Sequence, residues 1–437
     1  MKHKVLIAVI SIAVLVPLLG GIAFATNLVA ISDWNLGESY LVNYGNGKNI
    51  NYSMDELIQM YKSSGVEYKR IEAAYQLNDL YLARLDSQFS AQDSIINQYR
   101  QSINQYEAQI DYYQSLMDSY PEDSDEWKEA KNHRDTCLSN LNTYQSYLTE
   151  AITQKAEIYV QRENYLFINN NKDILRIQDQ KKTVSEFKEK CLYLIVLKEN
   201  YNLASSSVDY NDLLYQINKA NFNQGRSTRI DVDYQEAELL IANNNSESVL
   251  SSYNNLFKHI LRMIEINESQ KTGIRFDIKS MRHLTLINYE TAYNSFKQND
   301  IKTKQMESNI SVLNGKIDIL NDVYEEHSNI LAIESTKKEI AEVELEKWLI
   351  DRIISFNNLY SDYEAKYDAV NLQEKKAAAQ HKKYTVTLNK FNLGMISRIE
   401  LEEARLKLRQ SELDAWMAFY EYIKAYNAIE LAMMGSV

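Results

Sequence analysis

An eleven-residue phrase occurs twice in this chain, and each copy opens a long amphipathic pattern. Phe222-Asn223-Gln224-Gly225-Arg226-Ser227-Thr228-Arg229-Ile230-Asp231-Val232 returns as Phe391-Asn392-Leu393-Gly394-Met395-Ile396-Ser397-Arg398-Ile399-Glu400-Leu401. Phe, Asn, Gly, Arg and Ile recur at one constant offset, with Ser397 for Thr228 and Glu400 for Asp231. Such a repeat marks a duplicated supersecondary unit. Gly225 and Gly394 permit a backbone turn that residues with a Cβ resist. The hydroxyls of Thr228 and Ser397 can cap the helix that follows. Asp231 and Glu400, three residues on, approximate a capping box and set negative charge at the helix's positive end. A plain helix–turn–helix elbow explains either copy alone; two copies in register argue for matched tips.

The helices downstream are matched as well. A seam runs Leu401, Ala404, Leu408, Ser411, Ala415, Ala418, Tyr422, Ala425, Ile429, Ala432. Its counterpart reads Val232, Gln235, Leu239, Ala242, Ser246, Val249, Tyr253, Leu256, Ile260, Met263. Nine and eight of these ten positions are apolar or Tyr, against 45% hydrophobic residues in the whole chain. Steps of three and four residues are those of a coiled-coil seam. The Ala and Ser content predicts closely packed helices, each of about 38 residues or roughly 57 Å.

Only two prolines, Pro17 and Pro121, and 11 glycines interrupt 437 residues. Helix content should therefore far exceed the usual third. Length alone allows two or three domains, but repeats and sustained heptads argue for one elongated body. The net charge is −12 without a Lys/Arg cluster, which disfavours nucleic acid as a partner. Cys137 and Cys191 read as lying on one helix, too far apart to bridge, and are expected to be free buried thiols.

Residues 1–25 carry Lys2 and Lys4, an apolar core and the ending Ala23-Phe24-Ala25, the marks of a secretory signal cleaved after Ala25. The core is also long enough for a retained anchor. Cleavage would leave an exported body of charge −14 (−12 minus the two lysines). A polar extension at 26–52 leads to Ser53-Met54-Asp55-Glu56, a capping box. Helical periodicity runs from there to about Met117, breaks at Ser119 to Ser124, and resumes from Glu126 to about Lys219, with an irregularity expected at Ser205 to Ser207. Residues 53–266 form a first repeat and 267–287 a linker in which Ile274 to Ile278 suits a short strand. A second repeat, 288–437, starts near Asn288. Its midpoint break lies within 314–335, where Asn314-Gly315, Ser328-Asn329 and Thr336 to Glu339 compete, and its long helix is expected to end near Leu388.

Taken together these features resemble the TolC-like outer-membrane efflux protein family. That family has a secretory signal and two repeats, each with a helix hairpin closed by a Phe-Asn-x-Gly turn and a following Asp-Val. Phe222-Asn223-Gln224-Gly225 with Asp231-Val232, and Phe391-Asn392-Leu393-Gly394 with Glu400-Leu401, match it. Ala404 matches the family's second-repeat Ala, whereas Gln235 departs. The fold class is thus all-α: antiparallel coiled-coil hairpins in two repeats. The resemblance implies a homotrimer closed into an α-helical barrel, the passive exit duct of an envelope exporter. Its partners would be a membrane-fusion adaptor and an inner-membrane pump, and its place the cell envelope. Phe222, Asn223, Gly225, Thr228, Arg229, Asp231, Phe391, Asn392, Gly394, Ser397, Arg398 and Glu400 would form the adaptor-docking tips.

One departure is large. The family inserts two membrane strands in each repeat, seen as ten-residue alternating segments, and neither break carries them. Tyr165 to Ile168 and Leu192 to Leu197 suit buried helix equally well. The stretch from Glu56 to Gly225 is much longer than that from Glu290 to Gly394, and the excess reads as helix shared equally by the two arms. The upper end is therefore expected to be a helical crown. Scattered histidines and the absence of phosphate-loop or Gly-x-Ser-x-Gly motifs give no support for an enzyme, a cofactor or a metal site. A coiled-coil scaffold without a pore is the alternative.

Overall fold

The computed structural model describes residues 36–44, 50–267, 271–282 and 286–435. The expected signal at 1–25 lies outside them. The described chain is all-α apart from one small sheet. Its elements are β1 (Ser39–Tyr44), β2 (Ile50–Ser53), α1 (Met54–Ser64), α2 (Val66–Ser119), α3 (Asp125–Asn170), α4 (Lys172–Asn223), α5 (Arg229–Met263), β3 (Thr272–Asp277), α6 (Ile278–Arg282), α7 (Tyr289–Asn299), α8 (Ile301–Leu320), α9 (Asn329–Asn392) and α10 (Arg398–Met433). The 64 residues of α9 make a rod of about 96 Å.

Most of the helices start where a side chain takes up orphan amides; α2, after Gly65, and α4, after Asn171, do not. Ser53 and Glu56 form the capping box of α1, Ser124 caps α3 and Asn288 caps α7. Of the three sites competing for the second midpoint, Ser328 caps α9, while Gly315 lies inside α8 and Thr336 inside α9. Several expectations need correction. No irregularity occurs at Ser205 to Ser207; the descending arm breaks at Asn171 instead, so Cys137 and Cys191 lie on different helices, α3 and α4. Both are free and buried. The α9 helix runs to Asn392 rather than stopping near Leu388, because the turn glycine, not a propensity change, ends it. The expected strand at 274–278 occurs at Thr272–Asp277. The polar extension contributes two further strands, ordered β1-β3-β2, with β1 antiparallel and β2 parallel to β3. These segments showed no periodicity because they are short and pair with a segment on the far side of the first repeat.

Tyr40 ties this sheet to the helices: its ring meets Trp416 edge-on at 4.9 Å and its hydroxyl donates to Glu199. The main core lies at this level, with Phe187, Phe257, Phe276, Phe296, Phe356 and Phe419 almost fully buried. Below it, α5 packs on α4, α4 on α10 and α10 on α9, giving a row of four helices with α5 and α9 at its ends. Above it the row is α2, α3, α8, α9. No position of either heptad seam is exposed.

The two repeats differ most in height. The ascending helix α2 has 54 residues against 20 in α8. The descending arm has 46 and 52 residues in α3 and α4 against 64 in α9, so both arms are lengthened equally. Both midpoints are helix-to-helix turns, at 120–124 and 321–328. The second reaches the level of Arg100, whose guanidinium pairs with Asp322 at 3.2 Å. Beyond it α2 and α3 continue alone for about 20 residues, or roughly 30 Å. Ile103, Met117, Ala130 and Cys137 are buried in that section, and at the level of the second turn Ile96 packs with Ala151 and Ile152. No helix among the described residues is long and apolar enough to cross a membrane.

Candidate functional site

The two turn phrases form the two hairpin tips, at the same end of the helical row, and they are built alike. Gly225 has φ 72° and Gly394 φ 71°, the left-handed conformation that closes a helix C-terminus. The amide of Gly225 donates to Phe222 O at 2.9 Å and that of Arg226 to Asn221 O at 2.8 Å. Gly394 donates to Phe391 O at 2.8 Å and Met395 to Lys390 O at 2.9 Å. This pair of bonds satisfies carbonyls that the helix end leaves without partners. Two residues later the next helix begins with a reciprocal box. Asp231 N donates to Thr228 Oγ1 at 3.2 Å, and Thr228 N and Oγ1 donate to Asp231 Oδ2 at 2.8 and 2.7 Å. In the second tip Glu400 N donates to Ser397 Oγ at 3.3 Å, and Ser397 N and Oγ donate to Glu400 Oε2 at 2.7 and 2.9 Å. These bonds lower both carboxyl pKa values: for Asp231 the Thr228 hydroxyl weighs most, for Glu400 the Ser397 amide.

The repeated residues are thus largely consumed in building the turn. Gly225, Thr228, Asp231 and Gly394, Ser397, Glu400 hold the backbone. Arg229 pairs with Asp233 on its own helix at 2.9 Å, and Arg398 is exposed. Asn223 and Asn392 end their helices in solvent, Phe222 is exposed and Phe391 half-buried. Two pairs of side chains that differ between the copies are exposed, while Ser227 and Ile396 are half-buried. Gln224 and Arg226 are exposed on the first tip, and Leu393 (72%) and Met395 (63%) on the second. At these two positions one tip is polar and cationic, the other apolar. A comparison of the two copies that weighed the mismatches as well as the matches would have found this.

Sequence reasoning also missed the edges of the helical row. Ile230, Tyr234 and Ile241 are exposed along α5, and Leu80 along α2. On α9 Ile340, Val343, Ile350, Leu372, Val386 and Leu393 are exposed. Both ends of the row therefore present apolar side chains to solvent, on α5 within residues 230–241. Among the described residues no group of three or more His, Cys, Asp or Glu could hold a metal ion.

No family model matches this chain, and no curated protein matches it. Solved structures do. The outer membrane protein VceC from Vibrio cholerae aligns with 88% of this chain and 96% of its own, at TM-score 0.48 and 8% identity. CusC, described for transmembrane channel formation, aligns over 90% and 95%, at TM-score 0.44 and 9% identity. The Campylobacter jejuni CmeC outer membrane channel covers 67% and 68%, at TM-score 0.43 and 11% identity.

Proposed function

We propose that three copies of this chain, the number the family resemblance implies, close into a tube and act as the exit duct of an envelope export machine. The observation that carries this reading is the open row of four helices with an apolar stripe on each end helix. Large exposed apolar stripes are interaction surfaces, and end-to-end association of three rows gives a ring of twelve helices that leaves neither stripe in water. The duct is a passive conduit. Its tips dock a membrane-fusion adaptor that joins it to an inner-membrane pump, and the long α2/α3 hairpins form its crown in place of a membrane barrel.

Matched tips suit the conduit better than a pore-less scaffold, since a scaffold has no use for two similarly built turns at one end. Gly225→Val with Gly394→Val should disrupt both tips while leaving helix content within a few per cent of wild type. In cross-linked cells the wild-type chain should capture an envelope adaptor, and the double variant should not. Equal capture by a variant whose tips are shown to be disrupted refutes the docking role.

A further inference from the structure

We infer that the edge of α5 in one copy pairs with the edge of α9 in the next in one fixed register, as an acid–base zipper laid over an apolar stripe. The inference rests on the tube reading and specifies its joint. The template for that joint lies inside the chain. There α4 descends beside α10, with Asp209 against Arg405 (3.5 Å), Tyr193 against Tyr420 (ring centroids 5.2 Å), Glu189 against Asn427 (2.9 Å) and Lys181 against Glu430 (2.8 Å). In the duplication α9 is the counterpart of α4, and α5 that of α10. The step from Gly225 to Gly394, the two left-handed turn glycines, fixes the displacement between the repeats. The counterpart of the internal α4–α10 seam is therefore an α9–α5 seam, and since these two helices end opposite sides of the row, it joins two copies.

Carrying the internal register across by that displacement sets Leu372 opposite Ile241, Ala379 opposite Tyr234 and Val386 opposite Ile230. All six are exposed in the single chain. On α9 and its C-cap the stripe recurs every seven residues, Ala365, Leu372, Ala379, Val386, Leu393, each exposed, the spacing of one seam position of a heptad. The same register sets Lys376 beside Glu238 and Lys383 beside Asp233. The charges of the two edges agree. In the stretches this register sets opposite each other, residues 229–243 of α5 hold one arginine and four carboxylates, a charge of −3, and residues 371–386 of α9 hold four lysines and one carboxylate, +3. Opposed arrays of this kind fix register and partner, and salt weakens them over a Debye length of about 8 Å at 0.15 M. The upper joint, where α9 offers Ile340 and Val343, is apolar and should resist salt.

The test uses the full chain with cysteine pairs. Tyr234→Cys with Ala379→Cys, and Ile241→Cys with Leu372→Cys, are oxidised and run on denaturing gels. Each in-register pair should give covalent dimers and trimers, about tenfold more than either single variant. The offset pair Tyr234→Cys with Leu372→Cys, displaced by two helical turns or about 10 Å, should stay at background. If the offset pair links as well as the in-register pairs, or if those pairs do not link while light scattering shows an intact oligomer, the register is overturned and the tube reading stands. A chain monomeric at every concentration overturns both. Lys376→Glu with Lys383→Glu should reduce linking at least severalfold, and adding Glu238→Lys with Asp233→Lys should restore it; absence of that rescue overturns the zipper.

Discussion

Alanine at the tip glycines isolates one energetic quantity. At Gly225 and Gly394 an added Cβ would meet nothing within 4 Å, so the substitution changes only backbone preference. Holding a residue with a Cβ in the left-handed region costs about 1–2 kcal/mol. Gly435 gives the contrast: its φ is 86°, and a Cβ there would lie 1.8 Å from the Asn299 carbonyl oxygen. Gly435→Ala must therefore displace the α7–α8 junction as well, and should cost more than Gly225→Ala. Asn tolerates the left-handed region, so Gly225→Asn should cost less than Gly225→Ala. Hydrogen exchange reads this locally, because the amides of Arg226 and Met395 are held by the turn. A cost of one to two kcal/mol should speed tip exchange roughly 5- to 30-fold if the loss falls on the closed turn. Unchanged exchange in Gly225→Ala and Gly394→Ala, or a Gly435→Ala milder than both, would show that the positive φ is not what holds the turn.

Asp300 supplies a pH prediction. It is 3% exposed, caps α8 through Thr303 and receives Arg352 Nη1 at 2.8 Å. Burial works to raise its pKa, but the hydrogen bonds from Thr303 and Arg352 together hold it below the usual carboxylate range. A lowered folded-state pKa adds stability above the unfolded value, about 3.9, and that stability is lost as pH falls through the folded value. The melting-temperature gap between wild type and Asp300→Asn should therefore shrink below about pH 4; a gap independent of pH contradicts the assignment. Phe356, fully buried and stacked on Phe296 at 5.0 Å, should cost about 3–5 kcal/mol as Phe356→Ala in denaturant unfolding, and a loss below about 1 kcal/mol would contradict its place in the core. Thr228→Ala and Ser397→Ala should each cost about 1 kcal/mol and add in the double variant, because the tips share no partner. A strongly non-additive double variant would mean that the tips communicate.

The tips, the capping boxes at Ser53, Thr228 and Ser397, and the equal lengthening of both arms were legible because each depends on residues close in sequence. A hydroxyl three residues before a carboxylate, or a glycine after a helix, carries its own instruction. What escaped depends on distant pairing. The strand β1 has no pattern until β3, which follows the whole first repeat, lies beside it. The break at Asn171 rather than Ser205 to Ser207 follows from where α3 leaves α8 and α4 takes up α10, which local propensity does not register. The apolar edge of α9 was hidden because Leu372, Ala379 and Val386 are diluted among Lys375, Lys376, Lys382 and Lys383. Read alone, that stretch is a solvated face; beside the acidic face of α5 it becomes half of a joint. At the tips the recurring Gly, Thr/Ser and Asp/Glu build the turn, while Gln224, Arg226, Leu393 and Met395, which vary between copies, are exposed.

Whether three copies close into a tube is decided by imaging the purified chain end-on while measuring its mass by light scattering. A threefold ring of twelve helices around an open centre is expected, with a mass three times that of the single chain. A stable monomer, or a filled rod without a central opening, would contradict it.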